Sequence, residues 1–121
     1  HTAQVLASQL RSTDTLARWG GEEFIVLMPY TQPEGAMALA QKLREALRSK
    51  PLAHDGQVLA ITASVGVTAL AAHRLASFDA LYAAADAALY QAKVQGRDRA
   101  VFCAVAAAAP PPDYAQQRAQ T

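Results

Sequence analysis

The chain has 121 residues, of which 52% are hydrophobic, and its net charge is +1. This length and composition suffice for the core of one small soluble domain. The nearly balanced charge gives no strong field of one sign, and no apolar run is long enough to span a bilayer. We therefore expect no DNA or RNA partner and no membrane contact within this segment. The lone cysteine, Cys103, cannot form an internal disulfide, which fits a reducing compartment such as the cytoplasm.

The predicted elements alternate between helical and extended patterns. In chain order they are a helix over 3–11, a hairpin of strands 16–19 and 24–28, a helix over 33–48, a strand over 58–70, a helix over 78–94 and a strand over 100–103. Pro33 suits the first turn of its helix, and Pro51 follows the end of that helix. Residues 104–121 are rich in Ala, Pro and Gln and lack an apolar period, so we expect a disordered tail after one domain over 1–103.

Each of the two longer helices carries an apolar stripe at helical spacing, which we expect to face the core. The stripes are Ala36, Leu39, Ala40, Leu43 and Leu47 on the first helix, and Phe78, Leu81, Tyr82, Ala85, Ala88, Leu89 and Ala92 on the second. Three aromatic side chains are interpreted as packing residues rather than base-stacking platforms: Trp19, Tyr82 and Tyr90.

The turn of the predicted hairpin reads Gly20-Gly21-Glu22-Glu23-Phe24, and we call these five residues the acidic hairpin. Two glycines between β-favouring runs indicate a tight turn, because primed turns need a positive φ that glycine adopts freely. The two carboxylates that follow can face a ligand, and they suit a hard cation such as Mg²⁺ carrying phosphate oxygens. Taken alone, the same residues fit an ordinary surface hairpin with solvated glutamates.

Arg11 and Asp14 stand three residues apart just before the hairpin. An arginine fork can donate to the O6 and N7 acceptors of guanine, and a carboxylate can accept from the N–H groups of the ring. The pair therefore suits a guanine ligand. The alternative is a salt bridge at a helix end, which is common at this spacing.

Two later segments add to the pattern. Residues 61–67 are rich in β-branched residues, and Gly66 allows another chain segment to approach this strand closely. Lys93 and Arg97 are four residues apart at the end of the last helix, with Gly96 between them as a cap. These two cations can bind phosphate, or they can simply complement the negative end of the helix.

Together, the acidic hairpin, Arg11-x-x-Asp14, the strand 61–67 and the segment from Ala85 to Arg99 resemble the diguanylate cyclase (GGDEF) family in its Glu-for-Asp form. The resemblance covers residues 2–102, and Asp98 stands where the family usually has Asn. It implies an α/β (α+β) fold that is palm-like and nucleotidyl-cyclase-like, with a central, mostly antiparallel sheet flanked by helices. The strand 61–67 is similar to the family strand that pairs with the hairpin.

The resemblance also implies a reaction, in which two GTP molecules are condensed into cyclic di-GMP and pyrophosphate by two protomers of a homodimer. The cofactor would be Mg²⁺ or Mn²⁺. Glu23 would ligate the metal, and Glu22 would help with metal binding or with deprotonation of the attacking hydroxyl. Gly20 and Gly21 would let the nucleotide approach the backbone.

Further site residues follow from the same resemblance. Lys93 and Arg97 would hold the triphosphate. Arg11, Asp14 and Lys42 would form a product-inhibition site for cyclic di-GMP. The family usually has Arg at the position of Lys42, eighteen residues after Phe24, and lysine lacks the planar fork of arginine.

Parts of the family pattern have no counterpart in the chain. The first strand with its metal-bridging Asp, and the helix with guanine-reading Asn and Asp, would precede His1. We therefore expect this chain to be the C-terminal two-thirds of a catalytic domain and to be inactive by itself. The alternative to an enzyme is a cyclic di-GMP receptor that binds product through Arg11 and Asp14 without turnover.

Overall fold

The computed structural model describes residues 1–20, 23–29, 31–70 and 76–105. The elements in these ranges are α1 (Thr2–Ser8), β1 (Thr15–Gly20), β2 (Glu23–Leu27), α2 (Pro33–Ser49), β3 (Leu52–His54), β4 (Gln57–Leu59), β5 (Val65–Val67), α3 (Phe78–Val94) and β6 (Ala100–Phe102). Both long helices begin at the predicted residues, and α3 also ends where predicted.

The starts of α2 and α3 depend on local signals. α2 has Pro33 in its first turn, and Glu34 and Arg48 place charge of the favourable sign near the two helix ends. α3 is capped by Ser77, whose Oγ accepts a hydrogen bond from the Ala80 N–H at 3.1 Å. All of these signals act within one helical turn, and Pro33 was the one used to predict the start of its helix.

α1 is shorter than predicted, because it ends at Ser8 rather than at Arg11. The N–H groups of Gln9 and Leu10 donate to carbonyls three residues earlier, which tightens the last turn. Arg11 then donates its backbone N–H to Asp14 Oδ2 at 2.9 Å. This side-chain acceptor offers the backbone an alternative to the helix, and the chain turns toward β1.

The described strands form three two-stranded sheets. The pairs β1–β2 and β3–β4 are antiparallel, and β5–β6 is parallel. Helices combined with mainly antiparallel strand pairs agree with the predicted α+β class. The predicted pairing of segment 61–67 with the acidic hairpin is not found in the described part of the chain, where β5 bonds to β6 instead.

The single strand predicted over 58–70 was wrong. Asp55 and Gly56 have φ values of 51° and 77°, and two consecutive left-handed residues form a tight hairpin between β3 and β4. Residues 60–64 belong to no strand, and β5 covers only Val65–Val67. The hairpin takes up the β-favouring residues 57–59, so the predicted strand is divided in two.

α2 joins two hydrophobic clusters. The first cluster contains Val5, Leu6, Leu43, Ala46 and Leu47, and hairpin residues such as Leu16, Phe24 and Val26 pack against it. The second contains Ala36, Ala40 and Val67, with Val65, Ala100 and Phe102 packed around it. The predicted stripe of α2 is thus confirmed in the main, although Leu39 is only half-buried and Ala46 is an additional member.

The predicted stripe of α3 is confirmed in part. Ala88 and Ala92 of that stripe are buried, and Ala84 is an additional buried residue, whereas Phe78 is exposed. Gly66 explains the preference for small side chains, because a Cβ atom on it would lie 2.1 Å from the Ala85 carbonyl oxygen. β5 therefore approaches the α3 backbone directly, as the glycine in this strand predicted.

Two further observations concern membrane-spanning helices and the residues that follow β6. None of the described helices has the length and apolar character needed to cross a membrane. Val105, just after β6, is buried. Residues 106–121 lie outside the described ranges, so their predicted disorder stays a prediction.

Candidate functional site

The acidic hairpin closes between β1 and β2. The strands pair from Thr15 with Leu27 up to Gly20 with Glu23, and the register shifts between Arg18 and Gly20. Trp19 is therefore the extra residue of a β-bulge, which increases the local twist and re-aims the side chains at the end of the hairpin. Gly21 and Glu22 lie outside the described residues, and the roles predicted for them stay predictions.

Aromatic contacts attach this hairpin to the N-terminal end of α3. The Trp19 ring lies 5.5 Å from Tyr82 and 6.3 Å from Phe78, measured between centroids, in tilted arrangements. Such pairs are favourable beyond the area that they bury. The packing interpretation of Trp19 and Tyr82 is confirmed, although Trp19 is still 45% exposed. Tyr90 is half-buried, with no ring contact among the described residues.

Gly20 and Glu23 face open space. Glu23 is exposed, and its carboxylate forms no hydrogen bond or ion pair with another described residue. A Cβ atom on Gly20 would meet no heavy atom within 4 Å, and Gly20 is not among the residues with positive φ. Neither packing nor backbone conformation therefore requires glycine at this position. The space that it leaves is available to a ligand.

The hairpin fits a magnesium ion whose ligands are mostly substrate phosphates and water. No group of three or more His, Cys, Asp and Glu side chains gathers within the ranges that the structure describes. Mg²⁺ is commonly held by one or two carboxylates, with substrate phosphates and water completing its octahedron. The exposed Glu23 carboxylate beside the open space at Gly20 is a donor of this kind.

Lys93 and Arg97 lie at the C-terminal end of α3. Arg97 is exposed and Lys93 is half-buried, and neither side chain bonds to another described residue. Gly96 has a φ of 119°, so its predicted role as a cap is confirmed. The Arg97 N–H donates to the Ala92 carbonyl at 2.8 Å, which closes the end of the helix. We call residues 93–97 the cationic turn.

The described residues of the acidic hairpin form no hydrogen bond or ion pair with the cationic turn. The hairpin is attached at Tyr82, and Lys93 follows eleven residues later in the same helix, or about 16 Å along its axis. No hydrogen bond or ion pair between described residues joins Glu23 to Lys93 or Arg97. The hairpin thus contacts α3 near its start through Trp19, whereas the cationic turn lies at its end.

Arg11 and Asp14 form the ion pair that their spacing suggested. Arg11 Nη2 lies 2.9 Å from Asp14 Oδ1, and Arg11 Nε donates to Oδ2 at 3.3 Å. Arg11 Nη2 also donates to the Thr31 hydroxyl at 2.7 Å. The hydrogen bonds from Arg11 lower the pKa of Asp14, and the same contact raises the pKa of Arg11. The pair lies in the turn after α1 rather than in a helix.

Accessibility differs sharply between the two partners. The Arg11 side chain is 56% exposed, whereas the Asp14 side chain is 1% exposed. Lys42 is exposed on α2 and lines an open groove with Gln9 and Glu45. No hydrogen bond or ion pair in the described part of the chain links Lys42 to Arg11 or Asp14. Within the Arg11–Asp14 pair, the arginine is the member that a ligand can reach in this arrangement.

Sequence reasoning missed a cluster around Asp98. Arg44 and Arg48 of α2 both donate to the Asp98 carboxylate, at 3.0 Å and 2.9 Å for the shortest contact of each. The hydrogen bond from Arg44 is the main cause of the lowered pKa of Asp98, and Arg48 contributes as well. The spacing of the two arginines, four residues apart on one helix face, was the available signal. Their partner lies some fifty residues later in the chain and has no local mark.

A family model and several curated proteins match this chain. The family model described as diguanylate cyclase, GGDEF domain, matches residues 1–99. Diguanylate cyclase DgcP of Pseudomonas aeruginosa is 44% identical over 94 residues, which is 78% of this chain and 14% of that protein. The cyclic di-GMP phosphodiesterase NbdA of the same species is 40% identical over 97 residues, which is 80% of this chain and 12% of that protein.

Solved structures agree with the sequence matches. Diguanylate cyclase SiaD of Pseudomonas aeruginosa, solved with its activator SiaC, has a TM-score of 0.77 and 39% identity, over 84% of this chain and 38% of that chain. The active GGEEF domain of a diguanylate cyclase from Vibrio cholerae has a TM-score of 0.70 and 29% identity, over 88% and 65%. The chain thus spans a small part of its curated relatives and shares the fold of these domains.

Proposed function

The chain belongs to the diguanylate cyclase GGDEF domain family, and from that premise we propose that it forms part of an enzyme that converts GTP to cyclic di-GMP. Two GTP molecules would yield one cyclic di-GMP and two pyrophosphates, because each 3′-hydroxyl attacks the α-phosphorus of the other nucleotide. Each new phosphodiester bond replaces the bond to a leaving pyrophosphate. Two protomers that face each other across a two-fold axis would supply the two nucleotides.

The observation that carries this proposal is the acidic hairpin. The turn keeps Glu23 exposed and leaves open space at Gly20, where no packing requirement explains a glycine. A nucleotide phosphate could approach this backbone without meeting a side chain. Glu23, with Glu22, would hold Mg²⁺ or Mn²⁺, and the bound metal would stabilise negative charge on the transferring phosphoryl group.

We assign Lys93 and Arg97 to the triphosphate. Lys93 lies in the last turn of α3 and Arg97 in the turn that follows the helix, and neither side chain is neutralised by another described residue. Cations around a transferring phosphoryl group supply much of what this reaction requires. The GTP would come from the cytoplasm, which fits the lone Cys103.

The test uses the full-length gene product that carries this domain. We expect purified protein with GTP and Mg²⁺ to form cyclic di-GMP, detected by chromatography. Glu23→Gln should abolish turnover while leaving the thermal unfolding curve unchanged, because a neutral amide is a poor Mg²⁺ ligand and the side chain is exposed.

The matched control is Glu34→Gln, which removes an exposed carboxylate from the first turn of α2. It should keep activity. If Glu23→Gln kept most of the activity of the unaltered protein, the assignment of Glu23 to the metal would be wrong. No product from the unaltered protein with either Mg²⁺ or Mn²⁺ would overturn the proposed reaction.

A second candidate function is binding of cyclic di-GMP, either as product inhibition or as the role of a receptor. The exposed Arg11 guanidinium supports it, because Asp14 and Thr31 hold its inner side while its outer side is open. Lys42 would add charge from α2. Direct contact of a guanine with Asp14 would require the Arg11–Asp14 pair to open, since that carboxylate is covered.

A further inference from the structure

Asp98 connects three parts of the fold. Its carboxylate accepts hydrogen bonds from Arg44 Nη2 and Arg48 Nη2, both 3.0 Å from Oδ1, and Arg48 Nη2 is also 2.9 Å from Oδ2. Its carbonyl oxygen accepts from Arg44 Nη2 at 2.6 Å. Its N–H donates to the Ser64 hydroxyl, just before β5, at 3.1 Å. We call Asp98 with Arg44, Arg48 and Ser64 the Asp98 clamp.

The clamp holds a backbone conformation that these residues do not favour. Arg97 and Asp98 have φ values of 63° and 46°, so two consecutive residues with side chains are left-handed after Gly96. Left-handed backbone is unfavourable for residues with a Cβ atom, less so for Asp and Asn than for others. Such a turn persists when surrounding contacts determine it. Here the clamp binds both the backbone N–H and the carbonyl oxygen of Asp98.

Burial of the Arg44 side chain also favours its contact with Asp98. Its side chain is 15% exposed, and its Nε is buried with no acceptor among the described residues. A guanidinium so withdrawn from water needs a nearby carboxylate. Asp98 supplies that charge, and Arg48 adds a second anchor from the next turn of α2.

The direction of Arg97 follows from this arrangement. Its own side chain has no described partner, so its orientation depends on the backbone that precedes Asp98. The clamp also occupies the Asp98 carboxylate, which would otherwise be free to pair with Arg97 beside it. Both effects leave the positive charge of Arg97 exposed and unpaired among the described residues.

We propose that the Asp98 clamp is a positioning device for phosphate binding: Arg44 and Arg48 of α2 hold Asp98 so that Arg97, with Lys93, presents its charge to a polyphosphate. This inference rests on the proposed triphosphate role of Lys93 and Arg97. Asp98, Arg44 and Arg48 act through Arg97 and do not themselves contact the phosphate.

The experiment measures binding of inorganic tripolyphosphate to the 121-residue chain by calorimetry, so it does not depend on turnover. Asp98→Ala should weaken binding about tenfold. This is the lower end of the loss seen when a residue that supports ligating side chains is mutated. Asp98→Asn should stay within about twofold of the unaltered chain, because asparagine tolerates left-handed backbone and its Oδ1 can keep both 3.0 Å contacts. Arg97→Gln should also lose binding.

Asp55→Ala is the matched control. Asp55 is likewise a left-handed aspartate, with a φ of 51°, but it lies on the exposed β3–β4 turn. It should leave tripolyphosphate binding unchanged. Arg44→Met should weaken binding as Asp98→Ala does, and the double variant should show little further loss, because both changes break the same contact. Circular dichroism checks that each variant is folded.

Each outcome decides the inference. Unchanged binding in folded Asp98→Ala, or equal losses in Asp98→Asn and Asp98→Ala, would overturn it. If Asp98→Ala fails to fold, normal binding by Asp98→Asn with weak binding by Arg44→Met would support it, and any other pair of results would overturn it. No binding by the unaltered chain, or full binding by Arg97→Gln, would also overturn it. Failure of the full-length protein to make cyclic di-GMP, with these binding results intact, would count against the proposed reaction alone.

Discussion

Arg11 and Asp14 form a tight local pair whose two members differ in accessibility. The covered carboxylate of Asp14 acts on the turn itself, since it accepts both the Arg11 backbone N–H and the guanidinium. The arginine is exposed and is further held by the Thr31 hydroxyl. Preorganised donors of this kind lose little freedom when they bind a planar acceptor edge.

We predict that Arg11→Ala weakens cyclic di-GMP binding by about tenfold or more, because a bidentate arginine contact to a guanine edge contributes on that order. Lys42→Arg should hold or raise affinity by restoring the planar fork. Calorimetry on the purified chain measures both effects. Arg99→Gln, which removes one exposed positive charge that does not line the groove at Lys42, is the control for net charge. Equal affinity in Arg11→Ala and the unaltered chain would leave the pair with a structural role only.

At the scale of elements, the contact between β5 and α3 depends on one glycine. A Cβ atom on Gly66 would lie 2.1 Å from the Ala85 carbonyl oxygen and 2.4 Å from the Leu89 backbone nitrogen. Both obstacles are backbone atoms of a helix, which cannot move as a flexible side chain does. The small buried residues of α3 and the position of β5 beside them follow from this approach.

We predict that Gly66→Ala lowers the free energy of unfolding by about 3 kcal/mol, because the added methyl group overpacks this contact. Urea unfolding followed by circular dichroism measures the change. Gly20→Ala is the matched control, since its Cβ would meet no heavy atom within 4 Å. It should leave the unfolding midpoint unchanged. A similar midpoint for both variants would mean that α3 does not lie as closely on β5 as the structure shows.

At the scale of the whole molecule, two ion-paired carboxylates link the stability of the fold to pH. Hydrogen bonds from Arg11 lower the pKa of Asp14, and those from Arg44 and Arg48 lower the pKa of Asp98, below the ordinary value of 3.8. The unfolded chain therefore binds these protons more readily than the folded chain does. The stabilisation is present above the ordinary value and is lost as pH falls through the lowered folded values.

We expect the free energy of unfolding to fall between about pH 5 and about pH 2, the window in which such carboxylates take up protons. Asp98→Asn should reduce this pH dependence, because it removes one of the two shifted groups. Urea titrations at several pH values measure the slope. Glu34→Gln, an exposed position on α2, is the control. A steeper acid dependence in Asp98→Asn than in the unaltered chain would contradict the sign of this linkage.

Local signals made much of the fold and part of the site readable in the sequence. Pro33 and the cap residue Ser77 mark the starts of α2 and α3, and Gly96 marks the turn after α3. The acidic hairpin was one of four segments that together carried the family resemblance, and its strands form as predicted. Each of these features depends on residues within one turn of each other, so their physical cause lies in the local sequence.

Contacts between distant residues were decided only by the tertiary structure. The pairing of β5 with β6, the alanine face of α3 and the Asp98 clamp each join segments separated by many residues. Propensity and periodicity identify which faces of an element are apolar. They do not show which other element packs on such a face, or at what distance. Thus the sequence by itself determined the family, the helices and the acidic hairpin. Only packing, which depends on close approach at Gly66 and on charge pairing across α2, decided how the cationic turn is held.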